Sequence, residues 1–338
     1  MSDNLASVSF VIPTLNSERV LDKCLKSIRI QDYPADKIEV IIVDAGSTDK
    51  TLEIAKKYQV DKVLDNPLQT EEAGKAVGIG ASTNEIIALI DSDNLLDGRE
   101  WLRKMVKPFE NSEIVSSEAM FLSYRKEDSF IDRYCALMGM NDPMHLFIGN
   151  YDRFSCLTGK WTALPITQID QAGYIEVILN KEMVPTMGAN GYLVRKEALK
   201  QTNYEPYYFD IDIVYQLVLN GHNRLAMVKV GIVHLFCNDV KTFVRKQRRR
   251  INDYLYYQKK GMRVYPHKKF ILGYIKFMGY TMLLFPLFFQ ALRGYHKKLD
   301  KAWFFHPLAC WITLSVYSLE VIKGLFRTKI QDRRKWSQ

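Results

Sequence analysis

Two hydrophobic periods alternate along the first 240 or so residues. Residues 7–13, SVSFVIP, form a short β-branched apolar run stopped by proline, which predicts a buried strand ending at a loop. Over residues 17–30 the apolar positions Val20, Leu21, Cys24, Leu25 and Ile28 recur at helical spacing, with Ser17 placed to cap the helix. A second strand over 38–43 runs into Asp44-Ala45-Gly46-Ser47-Thr48-Asp49, and a helix follows over 51–58. A short strand at 60–64, a helix rich in small residues at 71–81 and an apolar strand at 85–90 come next, the last leading straight into Asp91-Ser92-Asp93-Asn94. Strand and helix in alternation predict an α/β layer fold with a mainly parallel sheet, whose ligands gather at the carboxyl ends of the strands.

Further on, a helix is expected over 101–110 and a strand over 114–124, whereas 126–183 has weak periodicity and receives no element. A short strand or loop at 187–193, a helix at 211–220 ended by Gly221 and a strand at 226–235 complete this part. After Phe243 the pattern changes to Arg-Lys-Gln-Arg-Arg-Arg at 245–250, aromatics at 252–258 and more basic residues at 259–269. Two runs without a charged residue follow, 277–292 and 302–319. Crossing a bilayer takes roughly 17–25 residues, so both lie at the lower edge. The stretch between them is itself basic, which disfavours export of that loop. A transmembrane hairpin, a pair of interfacial or re-entrant helices, and a soluble helical subdomain all stay open. The pattern divides the chain into an α/β domain at 1–243, a basic connecting segment at 244–269, two apolar membrane-associated helices within 270–326 and a basic tail at 327–338.

Charge sharpens the division. Residues 1–240 carry 25 Lys and Arg against 34 Asp and Glu, a balance of −9, while residues 241–338 carry 22 against 4, a balance of +18. A basic tail can meet nucleic acid or anionic lipid. Its arginines flank apolar runs too long for a solvated RNA-binding arm, so membrane is expected and nucleic acid is not. Five dispersed cysteines without a CxxC pair fit reduced thiols in the cytosol, and MSDNLASVSF has neither the basic nor the apolar region of a cleaved signal. The expected location is the cell membrane, with the α/β domain on the cytoplasmic side.

The candidate chemistry sits at strand ends. Asp91 and Asp93 offer hard oxygen ligands to Mg²⁺ or Mn²⁺, although an isolated Asp-x-Asp is more often a solvated turn or helix cap. Asp44, with Gly46, Ser47 and Asp49, supplies a second acidic loop on the same sheet edge, so that two loops can enclose one ligand. Gly78-Ile79-Gly80 prompts a dinucleotide-binding oxidoreductase as a rival reading, but it falls inside a helix instead of between the first strand and helix.

Taken together, Val11-Ile12-Pro13-Thr14-Leu15-Asn16-Ser17-Glu18, then Ile41-Ile42-Val43-Asp44-Ala45-Gly46-Ser47-Thr48-Asp49-Lys50-Thr51, then Leu89-Ile90-Asp91-Ser92-Asp93-Asn94 resemble the family 2 glycosyltransferases. The resemblance covers about residues 1–250. It implies the GT-A (Rossmann-like) fold, a mainly parallel central sheet with flanking helices, here followed by a C-terminal pair of apolar helices. It also implies inverting transfer from a nucleotide-diphosphate sugar, a UDP- or GDP-sugar, with Mg²⁺ or Mn²⁺. By resemblance, Pro13, Asn16 and Glu18 match the first nucleotide loop, Asp44 the acid that pairs with the base, and Ser47 and Asp49 the loop beside it. Lys75 matches a basic position, followed by Ala76 where Asn is usual. Asp91 matches the acid near the ribose and metal, and Asp93 the direct metal ligand.

The family's catalytic base comes from a Glu-Asp pair before a helix, and the matching stretch makes Asp210 the base, with Phe209 in place of the Glu. Gln247 and Arg250 resemble a Gln-x-x-Arg-Trp signature that closes over the donor, with Ile251 in place of Trp. A lipid-facing basic face is the other reading of that run. His234 matches a further metal contact of some members, or a structural histidine, and Gly188-Ala189-Asn190-Gly191 is expected under the acceptor. The basic, apolar C-terminal region points to a lipid-linked or surface-glycan acceptor in cell-envelope polysaccharide biosynthesis. The alternative is a non-catalytic, membrane-docked module that retains the fold, prompted by Phe209 and Ile251.

Overall fold

The computed structural model describes residues 5–266 and 270–326. The described residues divide into two compact units, one of 5–120 with 165–234 and one of 121–164 with 235–326. The basic tail at 327–338 and Lys268 and Lys269 of the basic connecting segment lie outside the described residues.

The first unit opens with β1 (Val8–Thr14), α1 (Glu18–Arg29), β2 (Ile38–Asp44), α2 (Thr51–Lys57), β3 (Lys62–Asp65), α3 (Glu71–Ala81) and β4 (Ile86–Leu89). The alternation expected from sequence is present throughout this stretch. Every residue of β1 is buried, as is every residue of β2 after Ile38, which is why both read as continuous apolar runs instead of alternating ones. On α1, Leu21, Cys24, Leu25 and Ile28 are buried at the spacing that predicted the helix. Next come β5 (Asn94–Leu96), α4 (Trp101–Val106) and β6 (Ser116–Leu122), which carries the chain out of this unit.

The helix expected over 101–110 changes to a 3-10 turn at Lys107–Glu110, where Pro108 has no backbone N–H to give. In the second unit α5 (Phe130–Met138) and α6 (Met144–Ile148) occupy residues that received no element from sequence. The first unit resumes with the hairpin β7 (Thr167–Gln171) and β8 (Tyr174–Ile178), turned at Gly173, whose φ is +95°. Then follow β9 (Tyr192–Arg195), α7 (Lys196–Leu199), α8 (Asp210–Leu219) and β10 (Arg224–His234). Residues 187–191 are loop, not strand, because Gly188, Asn190 and Gly191 all have positive φ.

The sheet order is β3-β2-β1-β4-β9-β6-β10-β8-β7, with β5 paired to β10. Its first four strands are parallel, and from β9 onward the pairings given are antiparallel. The GT-A-like α/β layer is therefore parallel in the half that carries the three sequence motifs.

In the second unit α9 (Val240–Lys259) is one continuous helix where a basic connecting segment was expected. The Asp239 carboxylate caps it by accepting from the Thr242 N–H at 2.7 Å, and Phe243, Gln247 and Ile251 form its buried stripe. The first apolar run is broken at Leu284 into α10 (Ile271–Leu283) and α11 (Phe285–Lys297), bent by 93°. A 3-10 turn at Lys301–Phe305 leads into α12 (His306–Phe326). Tyr134, Tyr151, Phe236, Phe243, Trp303 and Phe305 form the aromatic part of this unit's core.

The close approach of α3 to the sheet decides where the site will lie. A Cβ on Gly78 would overlap Val11 of β1, and one on Gly74 would stand 3.0 Å from Pro13. Glycine in a helix ordinarily costs up to about 1 kcal/mol against alanine, but here overpacking of about 1–3 kcal/mol outweighs that gain. Gly78→Ala is therefore expected to lower the denaturation midpoint, measured in urea by circular dichroism. An unchanged or raised midpoint would show that α3 has room to move off β1.

Candidate active site

The carboxyl ends of β1, β2 and β4 converge, and the loops that leave them are tied together. The Asn16 N–H donates to Ser47 Oγ at 2.8 Å while Asn16 Oδ1 accepts from the Thr48 N–H at 2.9 Å. Asn16 takes a φ of +48°, tolerated by a short amide side chain better than by most residues. Likewise the Glu18 N–H donates to Asp49 at 3.0 Å and the Lys50 N–H to Glu18 at 3.2 Å. Pro13 lies within β1, opposite Val43 of β2 and beneath Gly74 of α3. Asp44, buried at the end of β2, accepts from the Thr14 and Ser47 hydroxyls at 2.9 and 2.6 Å and from the Gly46 and Ser47 N–H groups at 3.0 and 2.7 Å. Four donors fill its carboxylate. The motif residues of the first two loops thus shape the loops themselves.

Lys75 stands at the centre of the acidic groups. Its side chain is 1% exposed, and its Nζ lies 2.9 Å from Glu71, 3.0 Å from Asp210 and 3.6 Å from Asp91. Glu71 and Lys75 are one turn apart at the start of α3, which Thr70 caps by accepting from the Ala73 N–H. Asp210 is the first residue of α8, and Asp91 follows β4, so three elements meet on one ammonium. Burial alone would drive the proton off Lys75, but Asp210, Asp91 and Glu71 outweigh it and hold its pKa well above the ordinary value. Burial first, then repulsion from Glu71, pushes Asp91 up to about 6 against the pull of Lys75. Asp210 is pushed up to about 7, chiefly by burial, with Lys75 opposing and Glu71 and Asp91 adding.

Asp93 and His234 meet because β5 pairs antiparallel with β10, setting Asn94 opposite His234. His234 Nε2 lies 3.4 Å from Asp93 Oδ1. Two neighbouring ligands of one octahedral Mg²⁺ stand about 3 Å apart when its bonds are about 2.1 Å. Asp91 Oδ1 is buried and makes no hydrogen bond, its 3.6 Å ion pair with Lys75 being too long for one, so its lone pairs stay open to a divalent ion. Among the described residues no group of three His, Cys, Asp or Glu forms a closed metal site. Mg²⁺ bound with a diphosphate characteristically takes only one or two protein carboxylates, the phosphates and water supplying the rest, so these residues fit a divalent ion.

Sequence reasoning missed Glu71 and Asn94. Asn94 is fully buried, accepts from the Asp91 N–H at 3.1 Å and donates to Asn190 Oδ1 at 3.1 Å, joining the Asp91 turn to the Gly188–Gly191 loop. That loop lies against α8, since a Cβ on Gly188 would stand 2.8 Å from the Asp210 carbonyl oxygen. The signal for Glu71 was its four-residue spacing from Lys75; Asn94 had only its place in the turn. Phe209, in place of the usual Glu, is buried and stacks on Tyr207 at 5.9 Å.

Gln247 and Arg250 belong to the second unit and are used there. Gln247 is fully buried; its Nε2 donates to the Asn141 carbonyl at 2.9 Å, and its Oε1 accepts from Arg250 at 2.7 Å and Tyr317 at 3.2 Å. Tyr317 also donates to Asp142 at 2.6 Å. All five cysteines are free thiols.

Residues 9–135 match the family model described as glycosyl transferase family 2. A curated relative, glycosyltransferase AglE of Haloferax volcanii, is 29% identical over 147 residues, 41% of this chain and 48% of the relative. Poly(ribitol-phosphate) beta-N-acetylglucosaminyltransferase TarS of Staphylococcus aureus is 28% identical over 144 residues, 41% of this chain and 23% of the relative. The match thus spans about half the length of the first of these relatives and about a quarter of the second. Among solved structures, the mannosyltransferase PcManGT of Pyrobaculum calidifontis, in complex with GDP-Man and Mn2+, aligns with a TM-score of 0.58 at 15% identity. That alignment covers 97% of this chain and 89% of PcManGT, a likeness of fold.

Removing the ammonium leaves three partly exposed carboxylates uncompensated, so Lys75→Met is expected to cost about 1–3 kcal/mol at pH 8 in metal-free buffer, less than a fully buried unpaired charge because water screens them. Without Lys75 the folded-state pKa values of Asp91 and Asp210 rise still further above their unfolded values. The stability these groups contribute is then present at low pH and lost as pH rises, so the deficit should shrink at pH 5. Thermal melts of both chains at the two pH values check this, and equal stability at pH 8 would refute the role given to Lys75.

Proposed function

Residues 9–135 match the glycosyl transferase family 2 model, and on that premise we propose that the chain is an inverting, nucleotide-sugar-dependent glycosyltransferase of that family. Its donor is a UDP- or GDP-sugar, and its acceptor is a lipid-linked or surface glycan at the cytoplasmic face of the cell membrane. The observation that carries the reading is the convergence of Asp91 and Asp210 on the buried Lys75 ammonium, next to the Asp93 and His234 pair.

In this reading the nucleotide lies over the loops after β1 and β2. Asp44 meets a ring N–H of the base, which would take the place of the Ser47 hydroxyl, a donor free to rotate away. Asn16, Glu18, Ser47 and Asp49 keep the two loops in register beneath it. Asp93, Asp91 and His234 would hold Mg²⁺ or Mn²⁺, which when bound offsets charge on the departing nucleoside diphosphate.

Asp210 takes the proton from the acceptor hydroxyl as that oxygen bonds to the anomeric carbon. The bond from that carbon to the phosphate oxygen breaks on the opposite face, with inversion. A carboxylate pushed up to about 7 is a stronger base than an ordinary aspartate, and Lys75 aims it through a 3.0 Å contact. The Gly188–Gly191 loop, packed against the Asp210 backbone, leaves the acceptor close access to that carboxylate.

Two measurements test the reading. Titration of nucleotide-diphosphate sugars with Mn²⁺ should find one donor that binds, with binding lost in Asp93→Ala. No binding of any donor by the folded chain would move the balance to a non-catalytic, membrane-docked module. For the donor so found, Asp210→Asn should lower kcat by about 10²–10⁴-fold while leaving donor binding in place. In the parent chain kcat/KM should rise with pH through a limb near 7, because the base works only when ionised. A flat profile from pH 5 to 8, or an active Asp210→Asn chain, would remove Asp210 from this role.

A further inference from the structure

The second unit presents an apolar surface that its own core does not use. On α10 and α11 one face is buried: Phe277 packs on Phe147 of α6, Gly273 lies against the Ile148 backbone, and Gly294 lies against Trp303. The opposite face carries Leu272 at 79% exposure, Ile275, Met282 at 70%, Leu283, Phe285 at 62% and Phe289. Met282, Leu283, Phe285 and Phe289 flank the bend at Leu284, while Leu272 and Ile275 lie toward the start of α10; the φ of +59° at Leu284 puts a bulky residue in a sparsely populated region that costs about 1–3 kcal/mol. Monomeric proteins rarely leave so large an apolar patch in water.

Charge identifies the occupant. Residues 277–292 hold no charged residue, while Arg263 stands before α10 and Arg293, Lys297, Lys298 and Lys301 stand at or beyond the end of α11. Both ends of the bent pair are thus basic and its tip is apolar. Within α10 the exposed Lys276 stands mid-helix with its Nζ 5.4 Å from the Tyr280 ring centroid, and its stem is long enough to carry the ammonium toward the headgroups.

Length decides how deep the tip goes. Each arm has 13 residues, so each is about 20 Å long. At a bend of 93°, with the tip pointing straight inward, each arm descends about 14 Å, about half of a hydrocarbon core of about 30 Å. α12 is long and apolar enough to cross by composition and is itself only partly buried, with Leu308, Leu319 and Ile322 exposed, but three of its polar residues are committed to the unit's interior. His306, Thr313 and Glu320 are buried on it, and Glu320 lies 3.5 Å from Arg248 of the arginine-rich α9. A bilayer surrounding α12 would have to take in those arginines as well.

We propose that the α10–α11 wedge enters a single leaflet of an anionic bilayer, making the chain monotopic, with α12 held on its polar face against the unit's core. This rests on the membrane association in the function proposed above and adds its depth and topology. The full chain should float with vesicles of phosphatidylcholine and phosphatidylglycerol and bind at least tenfold less to phosphatidylcholine alone. Phe285→Asp with Phe289→Asp, both at exposed positions, should lower binding to the anionic vesicles at least tenfold with an unchanged circular dichroism spectrum. A Leu283→Cys chain that also carries Cys156→Ser, to remove the one partly exposed native thiol, should on those vesicles resist an impermeant maleimide, whether added outside or trapped inside, and react once detergent is added. Reaction with the trapped reagent would mean the tip crosses the bilayer and would overturn the single-leaflet insertion. Undiminished flotation of the double variant would overturn the role of the wedge. Failure of the parent chain to float with either vesicle would remove the membrane association itself, leaving the sugar transfer to be judged by donor binding.

Discussion

A single buried ammonium organises the first unit's chemistry. Lys75 is almost wholly removed from water, a position that would neutralise a lysine without partners. Three carboxylates from α3, the end of β4 and the start of α8 keep it charged. The dependence runs both ways, because those carboxylates approach one another only while the ammonium stands between them. One positive charge against three negative ones still leaves the cluster anionic, and Asp93 adds to that. Such an anionic cluster is suited to a divalent cation and raises the basicity of its carboxylates, two properties that the proposed inverting sugar transfer would use at once.

The ammonium stands where it does because of glycine. Gly74 and Gly78 let α3 lie directly on β1, and Lys75, between them in sequence, is carried under the edge where the strands end. The motif residues on the loops work at a different level. Asn16, Glu18, Ser47 and Asp49 exchange backbone and side-chain hydrogen bonds across two loops that leave neighbouring parallel strands. Their rigidity would lower the ordering cost of the nucleotide proposed to bind there. Family resemblance assigns such residues to ligand contact, and their geometry adds loop construction as a second reason for their presence.

The second unit poses the opposite physical problem. Its core is aromatic and well filled, yet α10 and α11 keep apolar side chains outside it. Composition alone treats residues 277–292 as a near-span of a membrane. The break at Leu284 converts that run into two short arms, and neither is long enough to cross. The later run, at 302–319, is the more spanning-like by length, yet it is the one drawn into the core by His306, Thr313 and Glu320.

What the sequence by itself determined is local and periodic. The parallel βα units, the strand-end placement of Asp44, Asp91 and Asp93, and the helix that begins at Asp210 all follow from apolar periodicity and turn chemistry, which act over a few residues. The sequence was silent wherever position depends on distant packing. The elements between 126 and 183 lack a strong period because α5 and α6 are stabilised by residues more than a hundred positions away, such as Phe305 and Phe277. Glu71 and Asn94 joined the site only through tertiary contact, and Gln247 and Arg250 were drawn into a network with Asp142 and Tyr317 that no motif encodes. Tertiary structure alone decided these, because a buried charge or amide takes its partners from whatever the fold brings within about 3 Å, and sequence spacing does not measure that distance.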